Sequence, residues 1–383
     1  MVIYLDNAST SWPKPEEVYR AVDDCLRNIA GSPGRAGHGP AREAARLVYD
    51  AREELAALFG AGNSGNLIFG HNATDAINTA LFGLIGPGDR VVATSMEHNA
   101  VARPLRALEA RGARLRIVGC DPAGRLPLAE LRAALTGGAR AVVVCHGSNV
   151  AGTLAPLAEI GELARAAGAL FIVDAAQTAG REEIDVEAMN IDVLAFSGHK
   201  SLFGPQGTGG LYVREGLRIA PLRFGGTGSL SESDRQPDFY PDCLESGTHN
   251  TPGLAGLLAG SRYIRRLGLA AIRRREAELT RVLLTELAAI PQVTIYGPPS
   301  GEPRAAVVSF TLAGCDSGAV AQRLDREFAI ACRAGLHCAP WAHATLGTLA
   351  TGTIRLSPGY FTTDSEIATA IEAVRAVAQD GAE

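Results

Sequence analysis

The chain has 383 residues, more than the about 250–300 residues at which a single hydrophobic core usually divides, so we expect two domains. Hydrophobic residues make up 46% of the sequence and charged residues 20%, a balance that excludes an intrinsically disordered chain. The 36 basic and 41 acidic residues give a net charge of −5, so the charge favours neither nucleic acid nor an anionic membrane as the main partner.

The N-terminus and the cysteine content indicate the cellular compartment. Residues 1–10 lack the basic and apolar regions of a secretory signal, and no apolar run approaches the about 18 residues of a membrane span. The seven cysteines form no dense framework, so we expect them to be mostly reduced. The sequence therefore predicts a cytoplasmic protein.

Short apolar runs alternate with helical patterns up to residue 213. Between residues 44 and 58 the apolar positions follow one helix face, and Gly60 closes that helix. We predict strands at 66–69, 90–93, 114–118, 139–145, 169–173, 192–196 and 209–213. We predict further helices at 73–84, 104–111, 128–135 and 156–167. This alternation is typical of a largely parallel sheet with helices on both faces, which binds its ligands at the carboxyl ends of the strands.

The second half of the chain begins with a long loop. Residues 224 to about 252 are rich in Gly, Ser, Asp and Pro, and a loop of this length in a compact enzyme is expected to be functional. Residues 254–290 are predicted to form long helices, and strands at 293–296, 306–311 and 353–356 then predict a smaller α/β unit. We divide the chain into an N-terminal segment (1–15), a large domain (16–255) and a small C-terminal domain (256–383).

Two strand ends carry groups suited to a phosphate and to a cation. Residues 72–78 open a helix whose free N–H groups and dipole suit a phosphate, and an ordinary N-cap at Asn72 or Thr74 is the alternative. Asp174 ends an apolar strand, where a buried carboxylate needs a cationic or hydrogen-bonding partner. A protonated pyridine nitrogen is one such partner, and a structural salt bridge is the alternative.

Two further strand ends carry a lysine and a histidine. Lys200 ends the run Ser197-Gly-His199-Lys200, and a lysine in such a pocket can form a Schiff base when its surroundings lower its pKa. Ser197 and His199 are close enough in sequence to help hold a phosphate. His98 follows another strand, where it could stack on an aromatic cofactor or be structural. Taken together, the four strand ends predict a pyridoxal phosphate site.

The order of these motifs resembles the class V aminotransferase family of fold-type I pyridoxal-phosphate enzymes. Within this family, the cysteine desulfurases are the most similar group. The matching segments are Tyr4–Thr10, Ser148–Thr153, Asp174–Gln177, Ser197–Lys200, Glu245–Thr248 and Arg333–Cys338. The resemblance implies an α/β fold in which a large domain, with a mainly parallel seven-stranded sheet between helices, precedes a smaller C-terminal α/β domain.

The resemblance also implies a role for each matching residue. Lys200 would carry the cofactor and move the proton at the substrate Cα, and His98 would stack on the cofactor ring as a further catalytic residue. The implied contacts to the cofactor are Asp174 at the pyridine nitrogen, Gln177 at the ring hydroxyl, Asn149 beside ring and substrate, Thr74, Ser197 and His199 at the phosphate, and Thr248 at the phosphate from the second subunit of a homodimer.

Cys338 is the catalytic residue that would define the activity. In the desulfurases a loop thiolate takes the sulfur of L-cysteine, which leaves L-alanine and an enzyme persulfide. Arg355 would clamp the substrate carboxylate through its planar fork, with Arg333 and Asn149 as further substrate contacts. Arg333 and His337 are expected to favour the thiolate.

Several alternatives remain open at this stage. The loop resembles the pattern Arg-x-Gly-His-His-Cys of the second desulfurase group, but Leu336 replaces the first His. In that group a small acceptor protein usually takes the sulfur, for example for iron–sulfur cluster assembly, and selenocysteine can be a substrate. A selenocysteine lyase, a cysteine sulfinate desulfinase and a non-catalytic relative are the alternatives. A zinc cluster of Cys332, His337, Cys338 and His343 lacks the usual ligand spacing, and no metal is expected.

Overall fold

A seven-stranded sheet forms the centre of the larger part of the chain in the computed structural model, which describes residues 2–29, 31–34 and 37–380. The strands of the protein are β1 (Ile3–Tyr4), β2 (Leu67–Gly70), β3 (Arg90–Thr94), β4 (Arg114–Val118), β5 (Ala141–Cys145), β6 (Leu170–Asp174), β7 (Val193–Ser197), β8 (Gly209–Val213), β9 (Val293–Tyr296), β10 (Val308–Leu312), β11 (Ile330–Ala331), β12 (Arg333–Gly335) and β13 (Thr353–Leu356). The helices are α1 (Glu16–Asn28), α2 (Gly39–Leu58), α3 (Ala73–Leu84), α4 (Asn99–Ala110), α5 (Leu128–Leu135), α6 (Leu157–Ala166), α7 (Thr251–Leu267), α8 (Leu269–Ala288), α9 (Ser317–Phe328), α10 (Pro340–Thr345) and α11 (Asp364–Asp380).

The large sheet has the strand order β2-β8-β7-β6-β5-β3-β4. From β4 to β7 the neighbouring strands are parallel, whereas β8 is antiparallel to both β7 and β2. Parallel neighbours need crossover connections. Helices α4, α5 and α6 supply those between β3 and β6, whereas a stretch of turns connects β6 to β7. The mainly parallel seven-stranded sheet that the resemblance implies is therefore present.

Strand β5 shows how the sheet buries both of its faces. Val142 and Val144 pack into the core on one face, and Ala141 and Val143 pack into the core on the other. Because side chains alternate along a strand, a run that is apolar at every position is stable only between two layers of helices. This explains why the continuous apolar runs predicted the strands well.

The smaller unit is a four-stranded antiparallel sheet with the order β12-β13-β10-β9. Its apolar face packs with residues of α8, α9 and α11, among them Leu283, Leu324 and Val374. The strand predicted at 306–311 begins at Val308, because the N–H of Val307 donates to the carbonyl of Ala305 instead of to a neighbouring strand.

The N-terminal segment connects the two units. Strand β1 pairs in parallel with β11, and Asp6 forms a bridge with Ser357 next to β13. Further along, the Ala8 carbonyl accepts a hydrogen bond from Gln177 of the large domain. Residues 3–8 thus contact segments that directly follow strands of both sheets.

Some elements differ from the predictions. Helix α4 begins at Asn99 rather than at Pro104, because the side chain of His98 caps its first turn. Helices α1, α9 and α11 lie where no element is predicted. The predicted division at residues 255 and 256 stays a prediction, and it falls inside α7. None of the described helices is long and apolar enough to cross a membrane.

Candidate active site

The residues predicted to contact a cofactor gather at the carboxyl edge of the large sheet. His98 follows β3, Asn149 follows β5, and Asp174 ends β6. Ser197 ends β7, and Lys200 lies three residues after it. Since these strands are neighbours in the parallel part of the sheet, their carboxyl ends share one edge. The topology therefore brings together groups that are far apart in the sequence.

Asp174 is a buried carboxylate at this edge. It is 2% exposed, and its Oδ1 accepts a hydrogen bond from the N–H of Ala176 at 2.9 Å. Burial raises its pKa, although the Ala176 N–H and the positive charge of Lys200 act in the opposite direction. Asp174 forms no salt bridge within the described ranges, so the alternative of a structural ion pair finds no support.

Lys200 is partly buried close to Asp174. Burial lowers the pKa of its ammonium group, and the carboxylate of Asp174 opposes this shift. The peptide group before Lys200 is fixed, because the carbonyl of His199 accepts hydrogen bonds from the Ser11 N–H at 3.0 Å and from Thr10 Oγ1 at 3.1 Å. A lysine held in this way, with a lowered pKa, suits covalent attachment of an aldehyde.

His98 has two features that bear on its predicted stacking role. Its Nδ1 accepts a hydrogen bond from the N–H of Ala100 at 3.0 Å, so it serves as the N-cap of α4. Burial, together with the charges of Lys200 and Arg333, lowers its pKa to about 4. The ring is therefore neutral near pH 7, and the capping bond fixes its orientation.

Glu97, which precedes His98, joins two strand ends. Its Oε1 accepts hydrogen bonds from Thr94 Oγ1 at 2.6 Å and from the N–H of Cys145 at 3.1 Å. Burial raises its pKa to about 8. Glu97 thus links the carboxyl ends of β3 and β5 beneath the site.

The start of α3 forms the predicted phosphate region. Asn72 Oδ1 accepts a hydrogen bond from the N–H of Asp75 at 3.0 Å, so the alternative of an N-cap is correct for Asn72. Ser197 Oγ accepts from the N–H of Ala73 at 3.0 Å, which joins the end of β7 to the helix start. Thr74 is exposed in the first turn of α3. The N-cap and a phosphate site are compatible, since each uses different N–H groups of the same turn.

Thr248 lies in an exposed loop that is anchored by its neighbour Glu245. The carboxylate of Glu245 is buried, and its oxygens are 2.7 Å from Arg52 Nη1 and 2.7 Å from His249 Nε2. Burial alone would raise the pKa of Glu245, but the charge of Arg52 and the bond with His249 lower it. The Arg52–Glu245 pair was not predicted, and its only signal in the sequence is the motif that contains Glu245.

Gln177 and Asn149 tie the sheet edge to other segments. Gln177 Nε2 donates to the Ala8 carbonyl at 2.9 Å. Asn149 Nδ2 donates to the His337 carbonyl at 2.7 Å, and its buried Oδ1 has no hydrogen-bond partner among the described residues. Asn149 therefore fixes the loop of Cys338 and keeps one acceptor available.

Arg355 projects from β13 and is 1% exposed. Its Nη1 donates to the Asn149 carbonyl at 3.0 Å, and its Nη2 donates to Asp6 Oδ1 at 2.6 Å and to Ser9 Oγ at 2.8 Å. Its Nε has no partner within the described part of the chain. The contacts with Asp6 and Ser9 were not predicted, although both residues lie in the N-terminal motif that carries the family resemblance.

Cys338 lies on an exposed loop between β12 and α10. The backbone is in the left-handed region at His337 (φ 46°) and at Cys338 (φ 57°), and the Cys338 carbonyl accepts a hydrogen bond from the N–H of Asn99 at 2.8 Å. The guanidinium of Arg333 adjoins the thiol, with its Nη2 3.8 Å from the Cys338 sulfur. The loop thus presents the thiol to solvent while its backbone is held on the large domain.

The expectation that His337 favours the thiolate is wrong. The His337 ring is buried, and its Nε2 forms a hydrogen bond of 3.0 Å with Thr353 Oγ1. Burial and the charge of Arg355 lower the pKa of His337 to about 2, so the ring carries no charge near pH 7. Arg333 is therefore the cation beside the sulfur.

The zinc alternative finds no geometric support. Within the described ranges no three His, Cys, Asp or Glu side chains converge as a metal site. His343, one of its four members, instead forms a hydrogen bond of 2.7 Å with Thr348 through Nδ1.

Comparisons with known proteins identify the family of the chain. The Aminotransferase class-V family model matches residues 3–369, and the chain therefore belongs to the class V aminotransferase family. A probable cysteine desulfurase from Methanothermobacter thermautotrophicus is 35% identical over 371 residues, which cover 95% of this chain and 92% of the relative. A cysteine desulfurase from Enterobacter sp. is 37% identical over 346 residues, with coverage of 88% and 84%. The apo structure of a cysteine desulfurase from Thermococcus onnurineus NA1 superposes with a TM-score of 0.91 at 33% identity, over 99% of this chain and 95% of that one.

Family membership confirms the predicted fold class and shows that the chain is an enzyme that uses pyridoxal 5′-phosphate. The residues present fit this cofactor. Asp174, a buried carboxylate with no ion-pair partner in the described part of the chain, adjoins Lys200, whose pKa is lowered. The buried atoms Asn149 Oδ1 and His199 Nδ1 have no hydrogen-bond partners among the described residues. Such atoms are costly to bury unless a ligand satisfies them.

Proposed function

We propose that this enzyme is a cysteine desulfurase, which converts L-cysteine to L-alanine and retains the sulfur as a persulfide on Cys338. The observation that carries the proposal is the exposed Cys338 thiol with an arginine nitrogen 3.8 Å from its sulfur, on a loop fixed to the cofactor domain. The relatives at 35% and 37% identity are a probable cysteine desulfurase and a cysteine desulfurase, which supports the same activity.

The net reaction balances with Cys338 as the sulfur acceptor. The C–S bond of L-cysteine breaks, an S–S bond forms between the transferred sulfur and Cys338, and a proton is added at the former thiol-bearing carbon to give L-alanine. The attacking species is the thiolate. Its attack needs an accessible sulfur, and Cys338 is the exposed one of the seven cysteines.

The residues of the sheet edge have distinct tasks in this proposal. Pyridoxal 5′-phosphate, when bound, supplies an electron sink for the reacting carbons. Asp174 would face its pyridine nitrogen and Gln177 its ring hydroxyl, while Thr74, Ser197 and His199 would hold its phosphate. His98 would lie on its ring as a neutral imidazole.

Lys200 moves protons in the proposed reaction. The lowered pKa of its ammonium group raises the fraction of neutral amine near pH 7, which can take a proton from the substrate Cα. Arg355, with Arg333 and Asn149, orients the substrate by its carboxylate. The Nε of Arg355, which has no hydrogen-bond partner among the described residues, is available to that carboxylate.

The proposal includes an assembly and a partner. The enzyme would act as a homodimer, in which Thr248 of the exposed loop reaches the phosphate held by the second subunit. A small acceptor protein in the cytoplasm would take the persulfide sulfur, for example for iron–sulfur cluster assembly. Light scattering tests the dimer, and a monomer that keeps full activity would contradict it.

The experiment that tests the proposed function measures alanine and sulfide release from L-cysteine under reducing conditions. We expect the wild type to be active, Cys338→Ser to lose this activity, and the control Cys315→Ser to keep it. L-selenocysteine is tested in parallel. Turnover of selenocysteine together with inertness towards cysteine in both wild type and Cys338→Ser would contradict the proposal and favour a selenocysteine lyase.

A further inference from the structure

A cleft outside the proposed cofactor site lies between α8 and the loop that joins β9 to β10. It is formed by one face of α8 (residues 270–284), by residues 300–304 of the loop, and by Leu154 and Glu182 of the large domain. We call it the α8 cleft. Its volume is about 570 Å³, and small-molecule sites in proteins commonly have volumes of about 300–1,000 Å³. The α8 cleft therefore has the size of a ligand site.

The face of α8 that borders the cleft alternates small residues with arginines. Ala270, Arg274, Ala277, Arg281 and Leu284 follow the three- and four-residue spacing of one helix face. Arg274 and Arg281 are exposed, and the seven residues between their positions correspond to about 10 Å along the helix axis. Ala277 lies between them in the sequence. The two guanidinium groups thus border an apolar floor.

Neither of these two arginines has a carboxylate partner among the described residues. The ion pairs that α8 forms there are Arg273–Glu182, Arg275–Asp364, Glu276–Arg181 and Glu286–Arg375. Glu302, the second carboxylate of the cleft, pairs with Arg125 at 2.6 Å. Each carboxylate of the α8 cleft is therefore engaged by an arginine, whereas Arg274 and Arg281 remain available to a ligand.

Arg304 adds a buried positive charge to the cleft. It is 8% exposed, its Nη atoms donate to the backbone carbonyls of Pro298, Ala151 and Val307, and its Nε has no partner among the described residues. Burial and the charge of Arg181 lower the pKa of Arg304 to about 10. A buried cation without a negative partner is costly, so an anion in the cleft would be stabilised by this charge.

We infer that the α8 cleft binds a small molecule that carries two or more phosphate groups next to an apolar ring, as a nucleoside diphosphate does. Arg274 and Arg281 would hold the phosphates, because a guanidinium group binds phosphate oxygens through parallel hydrogen bonds. The floor at Ala277 would receive the ring, since a diphosphate alone would occupy only part of the cleft. These residues are not among the proposed cofactor or substrate contacts, so the inference goes beyond the proposed function.

The charge contribution is tested by titrating the cofactor-loaded enzyme with ADP in a calorimeter, without divalent cations. The bound cofactor keeps ADP from its own phosphate site. We expect one ADP per chain, and we expect Arg274→Gln and Arg281→Gln each to weaken binding about tenfold. Arg326→Gln, which removes an exposed arginine of α9 outside the cleft, should leave the affinity unchanged. No saturable binding, or equal affinity in all four proteins, would overturn the site.

The ring contribution is tested by the same titration with pyrophosphate. Pyrophosphate offers the phosphate groups without the ring, so it loses the apolar contacts with the floor of the cleft, and we expect it to bind at least about tenfold more weakly than ADP. Equal affinities for pyrophosphate and ADP would overturn the assignment of a nucleoside ligand.

Turnover of L-cysteine separates this inference from the proposed function. Without ADP, Arg274→Gln and Arg281→Gln should release alanine at the wild-type rate. A wild type that is inert with L-cysteine but binds ADP through these arginines would contradict the proposed function alone. A wild type that is active with L-cysteine but binds no ADP would contradict this inference alone.

Discussion

The edge of the large sheet and the loop of Cys338 hold their reactive groups in different ways. At the sheet edge, Asp174 and Lys200 are placed by neighbouring parallel strands, and their surroundings are buried. The Cys338 loop is exposed and leaves its strand through two left-handed residues, with its position set by contacts to Asn99 and Asn149 of the large domain. In the proposed function the difference matches two tasks, since a cofactor needs a rigid, desolvated pocket and the transferred sulfur would leave towards an acceptor protein.

The largest expected effect concerns the sheet edge. Lys200→Ala removes both the covalent attachment point and the proton-transferring amine, so we expect alanine formation to fall by at least about 100-fold. Absorption spectra should also lose the visible band of a covalently bound cofactor. Lys14→Ala is a control, because Lys14 contacts the His199 carbonyl but lies outside the proposed cofactor contacts. Retention of the covalent band in Lys200→Ala would refute the assignment.

The next effect concerns the loop of Thr248, which a buried ion pair anchors to the large domain. Glu245→Ala leaves Arg52 buried without its carboxylate, and breaking such a pair costs about 3–5 kcal/mol of the free energy of unfolding. Urea unfolding followed by circular dichroism measures this change. Glu302→Ala breaks the exposed pair with Arg125 and should cost less than about 1 kcal/mol. Equal losses in the two variants would show that burial of the Glu245 pair contributes nothing.

A smaller effect concerns the buried layer beneath Cys338 and depends on pH. Burial lowers the pKa of His343 from 6.5 to about 4 in the folded protein, so between these values the unfolded chain binds more protons than the folded one. The free energy of unfolding therefore decreases as the pH falls from about 6.5 towards 4, because protonation of His343 stabilises the unfolded chain.

This contribution is isolated by comparing His343→Gln with the wild type in urea unfolding at pH 7 and pH 5. We expect the variant to lose less stability between the two pH values, by up to about 2 kcal/mol. If both proteins lose the same free energy of unfolding between pH 7 and pH 5, the pKa of His343 is not lowered in the folded protein.

The smallest expected effect concerns the exposed surface of the Cys338 loop. Leu336 is exposed, so Leu336→His, which restores the pattern of the second desulfurase group, should change the free energy of unfolding by less than about 0.5 kcal/mol. The rate of alanine formation should also stay within a few-fold of the wild type. A large gain in rate would show that the first His of that pattern has a task that this loop lacks.

The two regions also differ in how well the sequence predicts them. The polar residues after β3, β6 and β7 were recognised because a continuous apolar run followed by an unusual polar residue is a local signal. The helix predicted from Ala73 to Leu84 and the strand predicted from Gly209 to Val213 are correct at both ends. Helix α1 was missed, and its start at Glu16 has no side-chain cap to mark it.

Contacts between distant segments could not be predicted. Ser9 and Asp6 meet Arg333 and Arg355 across more than three hundred positions of the chain. Likewise, the charge of His337 depends on its burial against Thr353, and its neighbours in the sequence give no sign of this. Local patterns thus predict the strand-end residues, whereas the network around the arginines requires the folded structure.

The central claim is that Cys338 receives the sulfur of L-cysteine. It is tested most directly by mixing the cofactor-loaded enzyme with one equivalent of L-cysteine, trapping thiols with iodoacetamide and measuring the peptide that contains Cys338 by mass spectrometry. We predict one additional sulfur atom on Cys338, lost on treatment with a reductant, together with about one equivalent of L-alanine. Formation of L-alanine while Cys338 gains no sulfur would contradict the account.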